Sequence, residues 1–459
     1  MLSLAFPGAA LSLAIALRAC FAFALPRFMG VFVALFQCFI YSVRADVMLL
    51  VIILPVLLCV STTGTWWSTA IMIGYIMGQV LALLYMSLFY VAWVASSLAR
   101  PVLQIAFIFC LAKPTKTLYK MRLFALTFLY LVCCNDKTWK KPNDCPSSHF
   151  ANVAPDKVEK KTVIFVRHGE STWNDSFNKG DRSRLSFALF FVPNLIYALL
   201  VEFYLFVAGH SEESWFFDSP LSAKGVRQAI DLRRFLAKAE HAPTAKKEII
   251  DLMTGRTKVG GTAVGQISID NDAKASPAAQ LCSSSLRRAI STVAIGFQDR
   301  MAKEMKHDSI LILPCLQEIS RNPDALSITP PRGEVVPSWT DKDIPGFDYK
   351  RIFKTQVETK LHNGNKAVNS NGLKRMNEFC AIAFDQIEKD TIIVGGHSLW
   401  FRSFFRTFLP HNFNHICKKK KLINGGVASF TLCKVTADGG DEHFMIDSKT
   451  VEVIHGGFR

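Results

Sequence analysis

Apolar residues crowd the first part of the chain. Residues 2–25 are apolar apart from Arg18, residues 28–42 are apolar but short, and residues 47–63 and 69–97 are apolar almost throughout. A helix that crosses a bilayer needs roughly 20 such residues. The stretches 47–63 and 69–97 are therefore expected to span a membrane, with Trp66 and Trp67 as an interfacial belt just ahead of the second. Residues 2–25 form a third candidate span or a signal-like segment. Residues 102–112 and 123–134 are apolar but too short to cross alone. A soluble bundle would need a polar face that this region lacks. Residues 1–134 are read as an all-α, membrane-embedded region.

The pattern changes near Asn135. Residues 135–160 carry many charges with Pro142, Pro146 and Pro155, and read as a basic linker. Short β-like runs follow at 163–167, 279–283, 309–314, 391–395 and 427–433, separated by helical patterns at 222–240, 286–305 and 371–389. Strands alternating with helices predict an α/β fold, a three-layer sandwich with a mostly parallel, mixed central sheet. This domain is expected to cover 161–435, with 436–459 as a C-terminal extension. Two segments interrupt it: an apolar block at 185–209, and a stretch at 254–278 rich in Gly, Ser, Ala and Thr that reads as a flexible surface insertion.

Lys and Arg number 53 against 37 acids, a net charge of +16, and most of the charge lies beyond residue 134. Such a balance suits an anionic partner: a phosphorylated substrate or an anionic membrane surface. No zinc-finger spacing, RNA-binding signature or aromatic–basic interleaving is present, so nucleic acid is not expected as a partner. The 12 cysteines are scattered rather than spaced as a framework, which reads as free thiols in a reducing compartment.

Candidate chemistry gathers at strand ends. In Val163-Ile-Phe-Val-Arg-His-Gly-Glu-Ser-Thr-Trp-Asn174 a hydrophobic strand delivers Arg167, His168 and Gly169 to its C-terminal end, where open α/β sheets bind ligands. Gly169 is expected to let backbone approach an anion closely. Ser283-Ser-Ser-Leu-Arg-Arg-Ala follows the second strand and places Arg287 and Arg288 at a helix N-terminus, a natural anion site. Glu318 follows the third strand and His397 the fourth. Two histidines, two arginines and an acid would converge on one pocket.

These elements, in this order, resemble the histidine phosphatase superfamily, the phosphoglycerate-mutase-like group, over about residues 160–435. Asp218-Ser-Pro-Leu-Ser-Ala-Lys-Gly225 with Gln228-Ala229 also resembles that family's segment between its first two motifs. The resemblance implies that His168 attacks phosphorus and becomes phosphohistidine, that Arg167, Arg288 and His397 bind the non-bridging oxygens, and that Glu318 protonates the leaving oxygen. Arg287 is the alternative to Arg288, Glu170 or Asp218 the alternative to Glu318, and Asn174 either touches substrate or caps a turn. The chemistry agrees: phosphoryl transfer is mainly positioning and cationic stabilisation, and neutral imidazole is a workable nucleophile near pH 7. No carboxylate cluster suited to a metal accompanies these residues, and neither metal nor cofactor is expected.

The function expected is a membrane-anchored, metal-independent phosphomonoester hydrolase, acting on a small-molecule, lipid or protein phosphate. A mutase shares the opening motif, but its continuation Asp175-Ser-Phe-Asn-Lys-Gly180 does not match the mutases, and the apolar block intervenes. A domain that only binds phospholigands would not need both histidines, both basic ligands and an acid. Basic clusters Lys113–Arg122 and Lys137–Lys141 flank the apolar residues 123–134, which places the catalytic domain in the cytosol. An endomembrane such as the ER is the expected location. The block 185–209 is expected at the membrane interface beside the pocket mouth, or else as a lid, with Glu202 opposing deep insertion.

Overall fold

The computed structural model describes residues 114–136, 146–150, 153–178, 182–208, 210, 212–239, 246–255, 278–303, 308–437 and 440–459. The spans expected within 1–112 and nearly all of the insertion expected at 254–278 lie outside the described residues.

Eight strands form one sheet in the order β4-β3-β2-β5-β1-β6-β7, with β8 also paired to β6. Strand β1 (Glu159–Arg167) runs parallel to β5 (Thr391–Gly396), which runs parallel to β2 (Ala279–Ser283). Next come β3 (Ile310–Ile312) and the two-residue β4 (Val357–Glu358), also parallel. On the other side, β6 (Val427–Thr436) is antiparallel to β1 and carries β7 (Glu442–Ile446) and β8 (Glu452–His455), both antiparallel to it. The mixed α/β architecture agrees with the expectation. The C-terminal residues do not: 436–459 supply two strands of the sheet rather than an extension beyond it. The outward residues of β7 are partly exposed, so no alternation marked it as a strand.

The centre of β1 is apolar on both faces because both faces are covered. Val163 and Phe165 join one core with helices Gly372–Asp385 and Ser398–Phe408, while Ile164 and Val166 join a second with helices Ala223–Ala239 and Arg287–Gly296. Trp400, Phe401, Phe404, Phe405 and Phe408 recur at helical spacing and give Ser398–Phe408 one buried stripe. Phe165 stacks on Phe401 at 4.1 Å between centroids and meets Trp400, Phe404, Phe405 and Phe430 edge-on. Each such buried ring contributes roughly 1.5–3 kcal/mol. This packing holds β1 and the helix after β5 in one rigid frame, so the ends of both strands are fixed together.

The helix preceding the sheet, α1 (Pro114–Cys133), is longer than the apolar run 123–134. The basic residues that break the run lie inside the helix, and Lys120 is neutralised there by Glu202 at 2.6 Å. Leu123, Tyr130 and Cys134 pack with Phe217, Leu326 and Ile328. The stretch expected as a linker therefore starts inside the fold, with Asp136 buried against Lys366 and Arg375.

The apolar block forms one helix, α2 (Arg184–Val207), continuous through Pro193. Among the described residues it is the one helix long and apolar enough to cross a membrane, and little of it is buried. Glu202 does not face outward as a lone charge: its carboxylate takes Lys120, the Ser214 hydroxyl and the Trp215 amide.

Candidate active site

Register dictates the site. Arg167 pairs with Gly396 at the end of β1 and β5, and Ser283 pairs with Gly395 at the end of β2. The three chains leave the sheet side by side, tied by His168 N–H to the Gly396 carbonyl at 3.0 Å and Ser284 N–H to the Gly395 carbonyl at 2.9 Å. His168 and His397 are consequently neighbours, their ring centroids 4.9 Å apart, and both are buried.

The tautomer of His168 follows from its partner. Nδ1 sits against the Gly169 carbonyl, which can only accept, so Nδ1 carries the proton and Nε2 keeps its lone pair. Burial, then Arg288 and Arg167, hold the His168 imidazolium form well below its ordinary range. The ring is therefore neutral at physiological pH. His397 is depressed in the same way by burial, then by Arg288, His168 and Arg167. Its Nε2 meets the Ser284 hydroxyl at 2.8 Å, while Nδ1 has no partner.

Both candidate arginines at the start of the helix after β2 are buried, and their partners separate them. Arg287 turns to Asp218, with its Nη1 left without a partner. Its Nε and Nη2 donate to the Asp218 carbonyl at 3.2 and 3.0 Å, and its backbone N–H donates to the Asp218 carboxylate at 2.7 Å. Arg288 donates to the Asp324 carbonyl at 2.8 Å and lies 3.3 Å from the Asp324 carboxylate. Arg167 reaches the Leu422 carbonyl at 2.5 Å, and burial lowers its guanidinium to about 10 against the pull of Glu318 and Glu170. The buried Nε atoms of Arg167 and Arg288 have no partner, like Nδ1 of His397. Buried nitrogens without a protein partner on two guanidinium groups and one imidazole thus accompany the neutral His168 ring.

Glu318 belongs to the same cluster, since its charge acts on both Arg167 and Asp324. One carboxylate oxygen accepts the Ile319 N–H at 2.8 Å. Glu170 and Asp218 act on the same groups, Glu170 on Arg167 and Asp218 on Asp324, but each is tied to further partners. Asp218 is buried, has positive φ, and spends its carboxylate on the N–H groups of Arg287 and Ile328 and the Ser327 hydroxyl. Glu170 pairs with Lys224 at 3.3 Å. Asn174 accepts from the exposed Asn178 side chain at 2.6 Å, and its own N–H donates to the Ser171 cap, so it serves a short helix.

Gly169 is required for a reason other than anion approach. A Cβ there would stand 2.4 Å from the Gly225 carbonyl oxygen, and one on Gly225 would stand 2.0 Å from the Glu170 carbonyl oxygen. The two loops cross backbone on backbone. Gly169 N–H also donates to Thr292 at 3.0 Å, and Glu170 N–H to Gln228 at 2.8 Å. This crossing is the structural content of the segment Asp218–Gly225.

Sequence reasoning missed Ser284, Asp324 and Asn424, the last of which donates to the His168 carbonyl at 3.1 Å. Only Ser284 carried a signal, as part of the serine run that ends β2. A cleft of about 620 Å³ lined by Arg402, Arg406, His411, Lys418 and Lys419 lies apart from these residues.

No family model and no curated protein matches the sequence. Solved structures do match it. A mycobacterial glucosyl-3-phosphoglycerate phosphatase in complex with VO3 is 12% identical, over 62% of this chain and 97% of that one, with a TM-score of 0.27. A phosphoserine phosphatase from Entamoeba histolytica in complex with 3-phosphoglyceric acid is 12% identical, over 62% and 95%, with a TM-score of 0.26. Mycobacterial hydrolase 1 is 12% identical, over 65% and 100%, with a TM-score of 0.26.

Proposed function

We propose that this chain is a membrane-anchored phosphomonoester hydrolase that works through a phosphohistidine on His168, in the manner of the histidine phosphatases it resembles. One observation carries the reading: a buried imidazole with Nδ1 protonated and Nε2 free, accompanied by buried nitrogens without protein partners on Arg167, Arg288 and His397. Nε2 attacks phosphorus as the bond to the leaving oxygen breaks, and Glu318 gives that oxygen its proton. Water then attacks the phosphohistidine, its proton passes to the Glu318 carboxylate, the P–N bond breaks, and orthophosphate leaves. The guanidinium groups meet the charge on the equatorial oxygens throughout, so the chemistry asks for no metal.

Substrate reaches the site at a membrane surface. Leu118, Met121, Phe124 and Val132 of α1 and Leu189, Phe190, Leu199 and Leu200 of α2 are exposed, and Lys120 with Glu202 clasps the two helices together. Such a bare apolar area suits a lipid leaflet, with the catalytic domain on the cytosolic side. A phosphorylated lipid or membrane-bound phosphoprotein is the favoured substrate class.

His168→Ala in the full chain should abolish both orthophosphate release and acid-labile covalent labelling by radioactive phosphate ester. Undiminished turnover by this variant, or activity removed by a chelator and restored only by metal, would overturn the mechanism. A fragment 114–459 should bind anionic liposomes and lose binding when Phe190, Phe191, Leu199 and Leu200 become Ser. If the unaltered fragment stays in the supernatant, folded and active on soluble esters, the membrane part of the reading fails.

A further inference from the structure

A second polar network lies behind the acid loop, outside the phosphate cradle. Asp136 is buried immediately after α1, and its Oδ2 meets Lys366 Nζ at 2.6 Å and Arg375 Nη2 at 2.7 Å. Its Oδ1 accepts from the Ser370 hydroxyl at 2.6 Å. The two cations spend their remaining donors on one stretch of backbone. Lys366 Nζ donates to the carbonyls of Glu318 and Ser320 at 2.8 and 2.7 Å. Arg375 Nη1 donates to the carbonyls of Gln317 and Cys315 at 2.5 and 3.2 Å. The carbonyls of residues 315, 317, 318 and 320 are thus gripped by two buried cations that share Asp136 as counter-charge, the one such ion-pair partner among the described residues.

We infer that Asp136 is a positioning residue for Glu318, coupling the acid loop to the apolar helix α1. The inference rests on the proposed role of Glu318 as general acid. All three ammonium protons of Lys366 are committed, one to Asp136 and two to the acid loop. Burial works against the Lys366 ammonium, and Asp136 is the principal charge opposing that effect. Without the carboxylate, Lys366 and Arg375 would face each other uncompensated in a buried site, which is strongly unfavourable. One of them would then swing out or lose its proton, and the loop would lose part of its grip. Proton delivery depends on placement at the scale of about 1 Å, where misalignment costs roughly 100-fold in rate. The same short segment that reaches Asp136 leaves α1, whose Tyr130 hydroxyl donates to the Lys366 carbonyl. The exposed face of α1 and the seat of the acid are therefore two ends of one structure.

The test uses the full chain in lipid nanodiscs, with Asp136→Asn and Lys366→Met, the second leaving Asp136 and Arg375 as a neutral pair. Turnover of an alkyl phosphate, whose leaving group needs a proton, should fall on the order of 100-fold in Asp136→Asn. The pre-steady-state burst of nitrophenol from p-nitrophenyl phosphate, which needs little acid, should stay within about threefold. Lys366→Met should shift the same ratio in the same direction. A merely structural role would lower both substrates alike. Equal slowing of alkyl and aryl phosphates by a folded variant, or failure of both variants to fold, overturns the inference. Failure of the hydrolase reading looks different: the unaltered protein would give neither burst nor label on His168.

Discussion

Asp324→Asn is expected to stabilise the protein near neutral pH while tightening its hold on phosphate. Asp324 is buried, and burial pushes its carboxyl from 3.8 up to about 6; Arg288 opposes the shift, and Glu318 and Asp218 add to it. The fold therefore keeps the proton to higher pH than the unfolded chain does. The stability this confers is fully present below the unfolded value near pH 4 and is lost as pH rises through about 6. Two units correspond to about 3 kcal/mol of charge-burial cost at pH 7.5. Asparagine mimics the neutral acid and removes that cost. At roughly 1.5 °C per kcal/mol for a domain of about 300 residues, the variant should melt about 5 °C higher at pH 7.5. The gap should close toward pH 4, where both side chains are neutral. Because Arg288 loses the carboxylate now 3.3 Å away, inhibition by orthophosphate should also strengthen. Melting curves of the full chain in detergent micelles across this pH range, with phosphate titrations of turnover, supply both readouts. Equal melting temperatures at pH 7.5, or a gap that widens on acidification, would refute the electrostatic account.

The two adjacent arginines should separate: Arg287→Met should destabilise by roughly 3–5 kcal/mol by removing the buried cation beside the Asp218 carboxylate, whereas Arg288→Met should chiefly lower kcat/KM, on the order of 100- to 1,000-fold. Urea unfolding and steady-state kinetics on both variants check this. The acid limb of the phosphorylation rate should lie well below the ordinary imidazole range, because burial and two guanidinium groups disfavour the charged form of His168. In Arg288→Met that limb should move upward, as seen in a pH series of burst rates. Gly169→Ala should prevent the loop crossing and cost several kcal/mol, measured as loss of folded yield or of melting temperature rather than as a pure rate effect.

Much of the site was legible because it is local in sequence. A strand, then Arg167-His168-Gly169, and a strand, then His397, each put chemistry a residue or two from an element whose apolar run is plain. Arg288 is preferred over Arg287 through the family resemblance; in the structure Arg287 is held by Asp218 and Arg288 by Asp324. What escaped was set by distant partners. Asp136 and Arg375 are 239 positions apart, and nothing near Asp136 marks it as buried. Helix α1 was cut short at residue 123 because Lys120 and Arg122 interrupt the apolar run, and the charge that neutralises Lys120 comes from Glu202, beyond the nucleophile loop. Asp324 sits in a loop without pattern, and its meaning comes only from Arg288 folding onto it.

The crossing at Gly169 and Gly225 also bears on how this chain came to carry an exposed apolar helix inside an α/β domain. Ser171 bridges Leu221, and Thr172 N–H reaches the Pro220 carbonyl at 2.9 Å, so the excursion containing α2 leaves and rejoins the domain at one point. For a detour whose ends are pinned, each doubling of length costs only about 0.6 kcal/mol in closure entropy. Growth of the detour therefore leaves His168 and the groups around it in place. An apolar helix could be acquired, lengthened or exchanged there as a graft, with the choice of surface evolving independently of the chemistry.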